Sequence, residues 1–214
     1  MTQTIEIVSD VVCPWCFIGK RRLAKALKLM GNPSVEIRWK PFQLNPEAPP
    51  EGFDRQAYRT RKFGSAAYSR QLEARVAAAG EGEGILFQFD RIEKTPNTLP
   101  AHRLIWLAGQ DGCQDALVES LFQAYFLNGQ DIGDPSVLKQ RAAESGLKPE
   151  RIAQVLDGSL GAAEVAAEED RGRLYGIEGV PAFIINGALV ISGAQPPETM
   201  AAAFGRFVTA TPSR

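Results

Sequence analysis

The chain has 214 residues, 44% of them hydrophobic, and carries a formal net charge of -1. That length and apolar content suit one well-packed domain, or a small domain with a large insertion, and argue against global disorder. A charge so near zero gives no reason to expect a nucleic-acid or membrane-surface partner, and no run approaches the ~20 apolar residues of a membrane span.

The first residues, Met1 to Ile7, have neither the basic region nor the apolar stretch of a signal peptide, so a soluble, cytoplasmic protein is expected. Ile5 and Ile7 alternate with Thr4 and Glu6, and Val8 continues an extended pattern that reads as a strand. A helix beginning near Pro14 carries the stripe Leu23, Ala26, Leu27 and Met30, and Gly31-Asn32-Pro33 ends it. Val35, Ile37 and Trp39 then alternate with Glu36, Arg38 and Lys40, the period of a second strand. A strand–helix–strand unit of this length favours a right-handed parallel crossover.

From about residue 50 to 175 the patterning is helical, with almost no strand signal. Asp134-Pro135 and Asn97-Thr98 are helix starts, and Gly80-Glu81-Gly82-Glu83-Gly84 is a flexible turn. The basic residues Arg55, Arg59, Arg61, Lys62, Arg70 and Arg75 gather here, and a solvated helix face explains them at least as well as an anion site. Towards the end, Ala182–Ile185 and Ala188–Ile191 flank Asn186-Gly187, the dipeptide of a two-residue hairpin. A last helix from about Glu198 is expected to bury Met200, Phe204 and Phe207 or Val208. The pattern is βαβ, a helical insertion, then ββα. It predicts an α/β fold in which residues 1–48 and 172–214 form one discontinuous domain around a mixed sheet, with 49–171 as a helical insertion domain.

Cys13 and Cys16 are three apart at the start of the first helix, on one face and close enough to form a disulfide. Pro14 suits the first helical position. The unpaired amides there stabilise an anion, which favours a Cys13 thiolate as nucleophile and leaving group. Cys13, at the exposed end, would then attack a substrate sulfur, and Cys16, pointing back into the helix, would resolve the mixed disulfide. Trp15 is expected to cover the pair and contact substrate. A zinc site needs four ligands, and the remaining candidates, Cys113 and the single histidine His102, stand at no ligand spacing. Gly179-Val180-Pro181-Ala182 precedes a strand, where Pro181 is either a rigid strand entry or the second residue of a cis bond facing the cysteines.

Cys-Pro-Trp-Cys after a first strand, with Gly-Val-Pro-Ala-Phe before a late hairpin, resembles the thioredoxin superfamily. The helical insertion and the string from Ser9 to Gly19 resemble its DsbA family, and within that the FrnE-like cytoplasmic branch. The resemblance covers nearly the whole chain. It implies a thioredoxin fold and a thiol–disulfide oxidoreductase or isomerase. It also implies a cis Pro181 beside Cys13 and Cys16, a Val180 backbone that pairs with extended substrate, and helices that cap the groove. Two departures matter. Some FrnE-like proteins carry a second cysteine pair, where this chain has only Cys113, expected to be an inert, partly buried thiol. Pro14-Trp15 also replaces the Pro-His of periplasmic DsbA, whose histidine helps make a strong oxidant.

The same family holds 2-hydroxychromene-2-carboxylate isomerases and kappa-class glutathione transferases, in which a serine stands at the position of Cys13. Asn97-Thr98 followed by Ala101-His102-Arg103 resembles their cap segment, and Ser192-Gly193-Ala194-Gln195 their loop for the glutamyl end of glutathione. Asn97, Ser192 and Gly193 are therefore candidate contacts to substrate or glutathione. Asn97 is equally suited to capping a helix and Ser192-Gly193 to an ordinary turn, while His102 is either a proton shuttle or, as expected of a histidine on a helix near Leu104 and Trp106, packed with a hydrogen-bond partner. The intact pair favours exchange chemistry, because a transferase or isomerase gains nothing from Cys16. A redox-independent chaperone using the helical groove is the third class. No bound cofactor is expected, and glutathione enters as redox partner or co-substrate.

Overall fold

The computed structural model describes residues 3–207, without the side chains of 189 and 190. Strand β1 (Gln3–Ser9) leads through Asp10–Cys13 into helix α1 (Pro14–Leu29), and β2 (Val35–Pro41) returns parallel to β1, with Ile5 opposite Ile37 and Ile7 opposite Trp39. The predicted stop is realised by Gly31 and Asn32, which take φ of 79° and 54°. Such angles suit glycine and asparagine best, so the helix cannot continue through them.

At the other end of the chain, β5 (Ala182–Ile185) and β6 (Ala188–Ser192) form the expected hairpin on Asn186 and Gly187, both at positive φ. β5 runs antiparallel to β1, giving the order β2-β1-β5-β6. The two ends of the chain thus share one mixed sheet, with β1 central. α9 (Pro197–Phe204) packs on α1 and buries Met200 and Phe204. Phe207 departs from expectation: it is 38% exposed, because the helix stops at Phe204 and the chain beyond it no longer follows the 3.6-residue stripe. Val208 lies outside the described residues.

Between the two halves of the sheet lie α2 (Arg55–Phe63), α3 (Ala66–Glu81), α4 (Leu99–Gln110), α5 (Gln114–Phe126), α6 (Pro135–Glu144), α7 (Pro149–Leu156) and α8 (Ala162–Leu174). Asp134 caps α6 by accepting the Ser136 N–H, as its spacing from Pro135 predicts. The segment also holds two short strands with no sequence signal, β3 (Phe53–Asp54) and β4 (Lys94–Thr95), paired antiparallel.

One apolar core joins the sheet to these helices. Phe17 of α1 stacks on Phe122 of α5 with centroids 5.0 Å apart, and both rings contact Phe126. Phe87 meets Phe17 and Phe126 edge-on. Offset and edge contacts of this kind add about 0.5–1.5 kcal/mol per pair beyond burial. Trp39 of β2 ties in through its indole N–H, which donates to Asp115 at 3.0 Å.

Candidate active site

The turn between β1 and α1 is held by the Cys13 N–H donating to the Asp10 carbonyl at 3.0 Å, and the Cys16 N–H donates back to the Cys13 carbonyl. Cys13 is the N-cap residue in extended conformation, Pro14 is the first helical residue, and no side chain caps the helix. The helix therefore presents an unneutralised N-terminus to the Cys13 sulfur.

Cys13 and Cys16 are both free thiols and neighbours in space. Cys13 is less open than its place at the helix end suggests, being only 5% exposed. The segment around Val180 closes over it, and its thiol lies 3.5 Å from the Val180 carbonyl, to which it donates. The Val180–Pro181 peptide bond is cis, and Pro181 lies against Gly19 on the next turn of α1. Cys16 is 1% exposed. Burial pushes its thiol well above the usual range and the neighbouring Cys13 adds to this, while the Ser9 hydroxyl and the Asp10 backbone pull it down.

A cavity of about 540 Å³ opens on Cys13. Pro14, Trp15 and Val180 line it on the sheet side, and Trp15, 38% exposed, stands at its edge. The far wall comes from α2, α3 and α5 and carries Arg55, Tyr58, Arg59, Lys62, Arg75 and Tyr125. Four of the six basic residues of this segment thus face one cavity rather than forming only a solvated face. Glu73, the acidic residue of this wall, pairs with Arg55 at 2.7 Å and Arg59 at 3.0 Å. Burial also holds the Arg59 guanidinium below its usual range. Among the described residues Lys62 bonds the Tyr58 hydroxyl, at 2.7 Å, and no carboxylate, and it and Arg75 lie exposed, so the cavity is net cationic. The buried Tyr125 hydroxyl donates to the Lys94 carbonyl, and desolvation pushes it up to about 12.

The three contacts drawn from the glutathione enzymes do not line this cavity. The Asn97 amide is occupied locally, donating to the Ala48 carbonyl and accepting the Leu99 N–H at the start of α4. Gly193 donates its N–H to the Pro181 carbonyl at 2.7 Å, so it supports the Pro181 loop from behind. Ser192 is exposed at the end of β6. His102 takes the packing role: it is 3% exposed, with Nε2 3.3 Å from Asp10 Oδ1. Cys113 is partly buried at the start of α5, and burial and Asp111 push its thiol up.

Asp10 is the site residue that motif reading passes over. Its side chain is 0% exposed, and its second oxygen accepts the Leu44 N–H at 2.8 Å. An acid three residues before Cys13 was its only signal, and nothing local distinguishes that from a solvated turn. Among the described residues, no three His, Cys, Asp or Glu side chains are grouped as metal ligands, and no helix is long and apolar enough to cross a membrane.

A dithiol at the head of α1, beside a central strand of a β2-β1-β5-β6 sheet interrupted by helices, defines a thioredoxin-like α/β protein with a helical insertion. The comparisons with known proteins narrow this. The chain belongs to the DSBA-like thioredoxin domain family, whose profile matches residues 4–205. It is 30% identical over 200 residues to the uncharacterized protein YwbO of Bacillus subtilis, covering 91% of this chain and 92% of that one. The crystal structure of a probable DsbA oxidoreductase, SCO1869 of Streptomyces coelicolor, superposes with a TM-score of 0.89 at 30% identity, over 99% of this chain and 93% of that one. The cytosolic disulfide reductase DsbM of Pseudomonas aeruginosa shares the fold at a TM-score of 0.61 and 21% identity, over 87% of each chain. DsbM has also been solved with glutathione.

Proposed function

We propose that this protein is a thiol–disulfide oxidoreductase working through Cys13 and Cys16. The observation that carries the reading is Cys13, at the uncapped head of α1, opening on a 540 Å³ cavity with Cys16 sealed behind it. Cys13 as thiolate attacks one sulfur of a substrate disulfide, a mixed disulfide forms, and the other substrate sulfur leaves as a thiolate. Cys16 then bonds to the Cys13 sulfur and expels the remaining substrate thiolate. The substrate gains two electrons and the protein is left oxidised. Two external thiols reverse the steps. The Val180 carbonyl beside Cys13 supports a backbone contact to bound substrate, with Pro14 and Trp15 lining the groove and the cis Pro181 following Val180 behind it.

The cationic wall supports a carboxylate-bearing thiol or disulfide as partner, and glutathione has that chemistry. Lys62 and Arg75 stand where such a carboxylate would meet them. The intact cysteine pair and the Ser9 to Gly19 string support the FrnE-like branch and a cytoplasmic setting, where glutathione serves as reductant.

The test is insulin reduction, or refolding of a scrambled disulfide protein, by wild type and by Cys13→Ser. Loss of activity in the variant is expected, and wild-type activity would refute the reading. The reduction potential of the pair against glutathione then assigns the direction of electron flow.

A further inference from the structure

Arg55 and Arg59 stand one turn apart on α2, and both line the cavity that opens on Cys13. Like charges at that spacing repel each other along a helix. Each guanidinium is nevertheless held in place without help from an acid. Arg55 Nη1 donates to the Phe89 carbonyl at 3.3 Å, and the guanidinium lies 5.5 Å from the centre of the Phe89 ring. Arg59 donates through Nε to the Ser69 hydroxyl at 2.9 Å and through Nη2 to the Ser69 carbonyl at 3.3 Å. Its guanidinium lies 4.9 Å from the centre of the Phe63 ring, and a cation is attracted to such a face. Glu73, from α3, reaches both arginines with one atom: Oε1 is 2.7 Å from Arg55 Nη2 and 3.0 Å from Arg59 Nε. That atom is closed to solvent and completes no well-aligned hydrogen bond among the described residues. Glu73 therefore supplies charge more than position.

We propose that Glu73 is a specificity-determining residue of this site, a built-in counter-ion that sets how strongly the cavity prefers anionic disulfides. This rests on the exchange reading above. The side chains of Arg55, Arg59 and Glu73 are 12%, 19% and 18% exposed, so water screens them less than the exposed Lys62 and Arg75. Two guanidiniums against one carboxylate leave the sheltered row with a single net positive charge. That suits a substrate half bearing one carboxylate. Without Glu73 the row would carry twice the charge and favour halves bearing several, such as phosphorylated thiols.

The test mixes the reduced protein with small disulfides that differ chiefly in charge. Remaining thiols are trapped by alkylation at timed intervals and counted by mass. Each reaction oxidises the Cys13–Cys16 pair to its disulfide and reduces the added disulfide to two thiols. The series is hydroxyethyl disulfide, which is neutral, dithiodipropionate, with one carboxylate on each half, and dithiodisuccinate, with two.

In Glu73→Gln the rate constant for dithiodipropionate relative to hydroxyethyl disulfide should rise about fivefold, the upper range for one partly exposed charge. That for dithiodisuccinate should rise further, and both increases should shrink in high salt. Arg59→Gln should lower the same ratios. Glu73→Gln combined with Arg59→Gln restores the wild-type net charge and should bring them back to wild-type values. Should Glu73→Gln alone fail to fold, the comparison of Arg59→Gln with the double variant decides. A purely structural Glu73 would change all three rate constants alike. Ratios that stay at the wild-type values in Glu73→Gln, or that coincide in Arg59→Gln and the double variant, overturn the proposal and leave the exchange reading standing. A wild-type protein that reacts with none of the disulfides overturns both.

Discussion

The buried pair Asp10–His102 offers the sharpest test of what holds the candidate site in place. Asp10 Oδ2 accepts the Leu44 N–H at 2.8 Å, and Oδ1 faces His102 Nε2 at 3.3 Å, with both side chains essentially closed to solvent. Asp10→Ala strands a backbone donor and an imidazole in the core. A hydrogen bond to a charged group contributes about 1.5–3 kcal/mol, and a buried polar group left unsatisfied costs about 1–3 kcal/mol. We expect Asp10→Ala to lose about 3 kcal/mol or more. His102→Ala, which leaves the carboxylate held only by Leu44, should lose a similar amount. The double variant should lose less than the sum, by about 1–3 kcal/mol, because the second change removes a partner already lost. Urea unfolding of the reduced protein at neutral pH measures each corner of this cycle. Exchange activity should fall in Asp10→Ala as well, because the carboxylate, anchored on the Leu44 N–H, holds the turn whose backbone carbonyl takes the Cys13 N–H. Additive losses within about 0.5 kcal/mol, or an Asp10→Ala variant as stable as wild type, would refute the coupling.

Tyr125 predicts an alkaline effect. It ionises near 10 in the unfolded chain and about 12 in the folded one, so above pH 10 the unfolded state releases a proton that the native state keeps. Its stabilising contribution is full below pH 10 and is lost towards pH 12, a change approaching about 3 kcal/mol for two pKa units. Tyr125→Phe should lose about 1 kcal/mol at neutral pH with its hydrogen bond to Lys94 but show a flatter decline in alkali, read by urea unfolding at stepped pH. At Gly19 an added Cβ would lie 3.0 Å from Pro181 Cγ and 3.4 Å from Phe183 Cζ. Gly19→Ala should therefore lose about 1 kcal/mol net despite its gain in helix propensity, and a raised melting temperature would contradict this. If the basic wall selects substrate, Lys62→Glu with Arg75→Glu should raise KM several-fold for a carboxylate-bearing disulfide and far less for a neutral one. Equal changes for both substrates would remove the selectivity argument.

The parts legible in the sequence were those encoded by near neighbours. Alternation marked β1 and β2, Asn186-Gly187 marked the hairpin, and Pro14 placed the cysteines at a helix start. What stayed hidden depended on distant partners. β3 and β4 are two residues each and exist because Phe53 meets Thr95 and Asp54 meets Lys94 across the insertion, too short a run for any periodicity. Charge alone did not reveal that Arg55, Arg59, Lys62 and Arg75 converge on one cavity, because that depends on how α2 and α3 turn towards α1. Asp10 is an ordinary turn-forming residue until Leu44 and His102 close around it.

The sealing of Cys16 has a kinetic consequence. On the exchange reading, only Cys13 meets outside molecules, and it does so through one cavity mouth edged by Trp15. Oxidant and reductant cannot be bound together; they must take turns at the same entrance. A partner that fits the cationic wall too well would delay its own successor. Initial rates should then follow a double-displacement pattern, with each partner a competitive inhibitor of the other at high concentration.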